Sequence, residues 1–310
     1  MTELTDPRKE FGRAVTALAV EDDRIVVLSA DSGKSSGFGD FAKTYPNRYF
    51  EFGIMEQGVT GIASGLATTG LIPVFTAIAP FVTSRSYEMV RNDLGYMRQN
   101  AKLVGRNGGF TYSDLGATHH SLEDYAIMRM IPGLVVFAPS DPGEIRSCAA
   151  AMINHIGPTF MRIGAQPLPD LFAEEPVVVG KGRHLREGSD VTVITTGYIT
   201  TETVQAVDQL AAEGIEVDLI GMPTPSHPDA ELICASAART QTVVTVEEHY
   251  QTGGLGGVVA ELLSREQPTR MQMVGVPHDY QPSGPYPGLL DYAGIDAAGI
   301  TRRVREFLNR

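Results

Sequence analysis

Arg24-Ile25-Val26-Val27-Leu28-Ser29 is a short apolar run, unbroken and rich in β-branched residues. A half-exposed strand would alternate polar and apolar residues. This one does not, so it reads as a parallel strand buried on both faces. Upstream, Asp6-Pro7 supplies an N-cap and a first-turn proline, and Phe11, Val15, Leu18 and Ala19 then fall on one helical face. Similar runs recur at 72–75, 101–105, 134–138 and 159–163, with helical periodicity between them at 56–69, 84–96, 121–129 and 142–154. The alternation predicts a doubly wound, mostly parallel α/β domain over residues 1–170.

The pattern lapses at Gln166-Pro167-Leu168-Pro169-Asp170, and residues 171–190 read as a linker with a small hairpin near Gly180-Lys181-Gly182. A second, smaller α/β domain over 191–310 follows, with strands expected at 191–196, 217–221, 242–247 and 271–276 and helices at 202–213 and 229–240. The turn Gly253-Gly254-Leu255-Gly256-Gly257 opens a further helix. It is not the Gly-x-Gly-x-x-Gly of a dinucleotide site, and no Lys-Ser/Thr follows to make a phosphate loop. A tight turn packed against the first domain is expected.

Composition narrows the function. A formal net charge of −12 repels nucleic acid, so no nucleic-acid partner is expected. No uncharged apolar run reaches the roughly 18–20 residues of a membrane span, and residues 1–10 lack the apolar core of a secretion signal. A cytoplasmic chain without a membrane partner fits. Cys148 and Cys234 lack metal-ligand spacing and read as buried, inert thiols.

Phe52-Gly53-Ile54-Met55-Glu56-Gln57-Gly58 places one carboxylate at a strand-to-helix junction. Alone, Glu56 is a first-turn glutamate answering the helix dipole. Its company changes that reading. Ala77-Ile78-Ala79-Pro80-Phe81, Tyr87-Glu88-Met89-Val90-Arg91-Asn92-Asp93, Gly116-Ala117-Thr118-His119-His120 with Leu122-Glu123-Asp124, and Pro139-Ser140-Asp141-Pro142 follow in order. The set resembles the C-terminal half of transketolases, which use thiamine diphosphate. The resemblance runs through nearly the whole chain, more loosely in the second domain at Val246-Glu247-Glu248-His249 and the glycine-rich turn.

The resemblance implies that Glu56 is catalytic, bonding the cofactor's aminopyrimidine and favouring the tautomer that activates it. Ile54, Met55 and the neighbouring apolar strand are expected to keep water from Glu56. By the same resemblance Phe81 stacks on the pyrimidine ring, Asp31 lies beside the cofactor, and His119 meets the substrate carbonyl. His249 reads as structural.

A Gly-Asp-Gly with a distant Asn, the family's motif for Mg²⁺ and diphosphate, is missing; Gly39-Asp40 is followed by Phe41. No metal ligand is therefore assigned to this chain. The resemblance implies a partner, an N-terminal transketolase subunit carrying the diphosphate-binding domain, with Mg²⁺ and thiamine diphosphate held across a dimer of heterodimers.

Arg8, Ser35, Asn107 and His119 match the family's substrate positions. Asn107 replaces a usual His, Leu115 a usual Asp and Ala165 a usual Arg, although Arg162 lies nearby. A leucine accepts no hydrogen bond, and a lost arginine weakens the grip on phosphate. Transfer of a two-carbon ketol unit to an aldehyde is expected, with a substrate less hydroxylated or not phosphorylated. Two alternatives stay open: the β subunit of a 2-oxoacid dehydrogenase or decarboxylase, and a non-catalytic regulatory α/β subunit.

Overall fold

Six strands form the first sheet in a computed structural model that describes residues 4–309; the start of the amino-terminal segment read above lies outside the described residues. They are β1 (Ile25–Ser29), β2 (Tyr49–Glu51), β3 (Ile72–Ile78), β4 (Lys102–Arg106), β5 (Val135–Phe137) and β6 (Thr159–Arg162). All pair in parallel, in the order β2-β1-β3-β4-β6-β5. β1 is buried along its whole length, as its unbroken apolar run requires. The helices Pro7–Glu21 and Pro142–Asn154 cover one face around Phe11, Val15, Phe41 and Ile145. Glu56–Ala67 covers the other, with Val59, Ala63, Phe75 and Leu103. The sheet is doubly wound.

The chain steps from β1 to β2 in one direction and returns past β1 to β3. That reversal opens a crevice at the carboxyl ends of β1 and β3, where open α/β sheets bind ligands.

Two stretches of the first domain depart from the sequence reading. Residues 84–96 do not form one α-helix: a single turn at Tyr87–Met89 passes into a π-helix at Val90–Tyr96. The hydroxyls of Thr83, Ser84 and Ser86 bond back to the carbonyls of Ala79, Pro80 and Phe81, competing with helix formation. The helix expected from 121 starts at Asp124, because Ser121 is held in a bridge with Gly109.

The second sheet contains β7 (Arg183–Arg186), β8 (Val191–Thr195), β9 (Val217–Gly221), β10 (Thr242–Tyr250) and β11 (Arg270–Val276), in the order β11-β10-β8-β9-β7. The hairpin expected in the linker is absent. β7 is instead an antiparallel edge strand on β9, and Pro167, Pro169 and Pro176 interrupt the backbone N–H groups a preceding partner strand would need. Thr200–Ala212, Tyr286–Ala293 and Ala297–Leu308 pack on one side around Val207, Leu210, Ile300 and Val304. Ala230–Thr240 and Leu255–Glu266 pack on the other around Ile233, Ala237 and Val259. This unit is the smaller, mixed-sheet domain. Phe110 and Leu122, from the first domain, belong to its core.

Cys148 is buried, but Cys234, on the flank of Ala230–Thr240, is partly exposed, contrary to expectation. Among the described residues no helix is long and apolar enough to cross a membrane.

Candidate active site

A cavity of about 140 Å³ occupies the crevice at the carboxyl ends of β1, β3 and β4, lined by Ala30, Asp31, Ser32, Glu56, Phe81 and Arg106 among others. Larger hollows of about 380 and 830 Å³ contain none of Asp31, Glu56, Phe81 or His119. Chemistry, not size, marks the site.

Asp31 directly follows the turn out of β1 and has a left-handed φ of 55°. Its N–H donates to Glu51 Oε1 at 2.6 Å, and Gly53 N–H donates to the same oxygen at 3.2 Å. β2 thereby ties its own outgoing loop to that of β1. Glu56 is the first residue of its helix and is 5% exposed. Its Oε2 accepts from Arg85 Nη1 at 3.0 Å, whereas Oε1 accepts nothing from the described residues. The Arg85 guanidinium also lies 3.7 Å from the centroid of the Phe81 ring. Ile54 and Met55 are themselves 76% and 44% exposed, so they are only part of the shield over Glu56. Ile54 still lines the same cavity as Glu56, and the rest of the cover comes from the other walls of the crevice.

His119 follows the short 3₁₀ segment Ser113–Thr118. Its ring meets Phe81 at 5.3 Å and 65°, and Tyr112 at 5.3 Å and 83°. Thr118 Oγ1 lies 2.9 Å from Nδ1. Burial, and after it the charge of Arg85, holds the imidazole below the ordinary histidine range, so it is a neutral donor or acceptor at neutral pH.

The four substrate positions scatter more widely. Arg8 forms a two-pronged pair with Asp6 at 3.0 and 3.1 Å. Ser35 is exposed and donates to the Ser32 carbonyl at 2.9 Å. Asn107 is buried with φ 57°, and its Oδ1 accepts from Arg106 Nη1 at 3.3 Å. Leu115 is exposed. Arg162, considered above as a stand-in for a phosphate-binding arginine, is 5% exposed and pairs with Asp124 at 3.0 Å. Its guanidinium is taken up inside the protein.

Arg85 and Arg106 are the residues the sequence reading missed. Arg85 stands one helical turn after Phe81, and Arg106 ends β4 beside the crevice. A basic residue at a strand's carboxyl end was the available signal. Arg106 is buried, and its Nε has no partner among the described residues. Burial, with a further push from the Arg8 charge, lowers its pKa.

The glycine-rich turn binds its own protein. The Glu247 carboxylate accepts the N–H groups of Leu255 and Gly256 at 2.7 and 2.8 Å. Gly253, with φ 86°, packs against Ala126 of the first domain. His249 Nε2 accepts from Ala126 N–H at 3.3 Å while Nδ1 donates to the Tyr250 carbonyl at 2.7 Å, a structural arrangement. No group of three or more His, Cys, Asp or Glu among the described residues could hold a metal.

Comparison with known proteins gives a consistent result. Residues 5–169 match the model of the transketolase pyrimidine binding domain, and residues 180–300 that of the transketolase C-terminal domain. The chain is 35% identical over 305 residues to a subunit of the apulose-4-phosphate transketolase of Phocaeicola vulgatus, covering 98% of this chain and 97% of the relative. It is 34% identical to a putative transketolase C-terminal section of Methanocaldococcus jannaschii, covering 98% and 96%. Among solved structures, a split gene transketolase described as an inactive beta4 tetramer matches with a TM-score of 0.92 and 37% identity over 98% of both chains.

Proposed function

The chain belongs to the transketolase family as a β-type subunit of a split enzyme, and on that premise we propose that it supplies the cofactor-activating half of a two-subunit ketol transferase. The observation that carries this reading is the convergence of Asp31, Glu56 and Phe81 on one cavity at the sheet's reversal point, with His119 packed on Phe81.

The residues fit an aminopyrimidine. One Glu56 carboxyl oxygen accepts nothing from the described residues and, in the protonated acid, would donate to a ring nitrogen, beside an aromatic ring and only 5% exposed. Glu56 would hold that ring, Phe81 would flank it, and Asp31 would line the approach. When bound, thiamine diphosphate supplies a stabilised carbon nucleophile for breaking and making the ketol carbon–carbon bond. Arg85 orients the Glu56 carboxylate. The neutral His119 imidazole is suited to exchange a proton with the oxygen of the donor or acceptor. The diphosphate and Mg²⁺ are assigned to a partner subunit with the diphosphate-binding domain, in a dimer of heterodimers. The inactivity stated for the related beta4 tetramer agrees with a β-type chain that needs this partner.

Arg106 bears on the substrate. Its buried Nε lacks a partner among the described residues, and the charge of Arg8, although paired with Asp6, lies near enough to lower the Arg106 pKa. That favours an anionic, phosphate-bearing substrate over the non-phosphorylated one expected from Ala165. The name of the Phocaeicola vulgatus relative, part of an apulose-4-phosphate transketolase, points the same way. Leu115 still argues for fewer hydroxyls on the substrate.

The test is carboligation by this chain mixed with its diphosphate-binding partner, thiamine diphosphate and Mg²⁺, over phosphorylated and free ketose donors and 2-oxoacids. Ketol transfer in the mixture and in neither chain alone is expected. A preference for 2-oxoacid donors would move the reading to dehydrogenase chemistry.

A further inference from the structure

His119 sits near the end of a loop whose two feet are held by the other domain. Gly109 and Ser121 pair across the base, with N–H to carbonyl distances of 3.1 and 3.0 Å in the two directions. Beside these feet, Phe110 and Leu122 are 0% and 1% exposed within the second domain's core. Glu248, on β10 and 2% exposed, accepts the Phe110 N–H through Oε1 at 2.6 Å and the Tyr286 hydroxyl through Oε2 at 3.2 Å. Arg162 joins the two feet. Its Nη2 donates to the Glu248 carbonyl at 2.6 Å and its Nη1 to Asp124 Oδ1 at 3.0 Å, while Asp124 Oδ2 accepts the Ser121 hydroxyl at 2.8 Å.

A loop amide can be satisfied by any carbonyl, whereas a buried carboxylate carries a desolvation cost. Here such a carboxylate reaches across the domain boundary to one amide. The fit has no slack. Gly109 has φ +62°, and a Cβ there would collide with Glu248 Oε1 and Arg162 Nη2.

We infer that Glu248 is a positioning residue, through which the second domain fixes the 109–121 loop and thereby holds the His119 imidazole against Phe81. This rests on the reading of His119 as a group that meets substrate. A displacement of about 1 Å at such a group costs on the order of 100-fold in rate.

The test is a double-mutant cycle in the assembled two-subunit enzyme, using Glu248→Ala, His119→Ala and their combination. Glu248→Ala should lower kcat by about 10- to 100-fold. Glu248→Gln, whose amide oxygen can still accept the Phe110 N–H, should recover most of that loss. In the His119→Ala background Glu248→Ala should cost less than about 2-fold, because both act through one imidazole. In the isolated chain Glu248→Ala should speed hydrogen exchange at Phe110 and Ser121 while the β1 and β3 amides keep their protection. Losses that multiply in the double variant, or unchanged exchange at Phe110, would overturn the inference. If Glu248→Ala fails to fold, Tyr286→Phe, which frees Oε2 alone, should give a smaller loss with the same dependence on His119. A His119→Ala enzyme at full rate would remove the reading of His119 itself, an outcome distinct from a Glu248 variant acting independently of an essential histidine.

Discussion

Arg85 binds Glu56 at 3.0 Å and, with the same guanidinium, covers the ring of Phe81 at 3.7 Å. Arg85 and Glu56 are 29 positions apart, and their pairing fixes the relative placement of a carboxylate and an aromatic face. Arg85 should therefore matter to turnover without being the group that activates the cofactor. Glu56→Gln in the assembled enzyme should lower kcat by about 100-fold or more, and Arg85→Met by about 10-fold. Steady-state rates with each variant check the order. An Arg85→Met enzyme worse than Glu56→Gln would reverse the assignment.

The depressed pKa of His119 comes first from burial and then from the Arg85 charge. Removing that charge should raise the pKa towards the ordinary histidine value without reaching it, since the ring stays partly buried. An NMR titration of the His119 ring protons in the isolated chain, wild type against Arg85→Met, reads this directly. An unchanged or lowered value would show that the charge of Arg85 does not reach the imidazole.

Lys102 is fully buried, and among the described residues its ammonium donates only to the carbonyls of His155 and Gly157, at 2.6 and 2.9 Å. Burial lowers its pKa from 10.5 to about 7. Between those values the folded state holds fewer protons than the unfolded chain, so stability from this group rises with pH and the full cost is present below about pH 7. Lys102→Met should stabilise the protein at about pH 6.5, and the gain should shrink by about 2–3 kcal/mol at about pH 9.5. Urea unfolding at the two pH values measures it; a gain independent of pH would mean that Lys102 keeps its proton throughout.

Glu247 is 1% exposed and satisfies two amides at the start of Leu255–Glu266, a helix whose N-cap is a glycine with no side chain to offer. Glu247→Ala should destabilise the chain by about 2–5 kcal/mol, because both amides lose their partner in the interior. Glu247→Gln should cost less, since one oxygen remains. Chemical denaturation of the three proteins gives the series, and equal losses for both substitutions would point to charge as the cause.

The parts of the fold that local pattern determines were legible. The run from Ile25 to Leu28 could only be a strand buried on both faces, and Pro142–Asn154 began and ended where its cap and periodicity placed it. Glu56, Phe81 and His119 could be grouped as candidates through the order of short motifs; Glu56 and Phe81 line one cavity, and His119 packs on Phe81. Arg85 was not, because its pairing with Glu56 depends on how β3 and the following turn return to the crevice. The π-helix was hidden because hydroxyl-to-carbonyl bonds at Thr83, Ser84 and Ser86 act against an apolar period that reads as α-helix. The link from Glu248 to Phe110 spans 138 positions, and no local period carries such a contact.

If Glu56 activates thiamine diphosphate through its aminopyrimidine, as proposed, the rate at which the cofactor's thiazolium C2 proton exchanges with deuterated water reads it most directly. The assembled wild-type enzyme should speed that exchange by orders of magnitude over free cofactor, and the Glu56→Gln enzyme, with cofactor still bound, should fall back close to the free rate. Undiminished exchange in the Glu56→Gln enzyme would contradict the account.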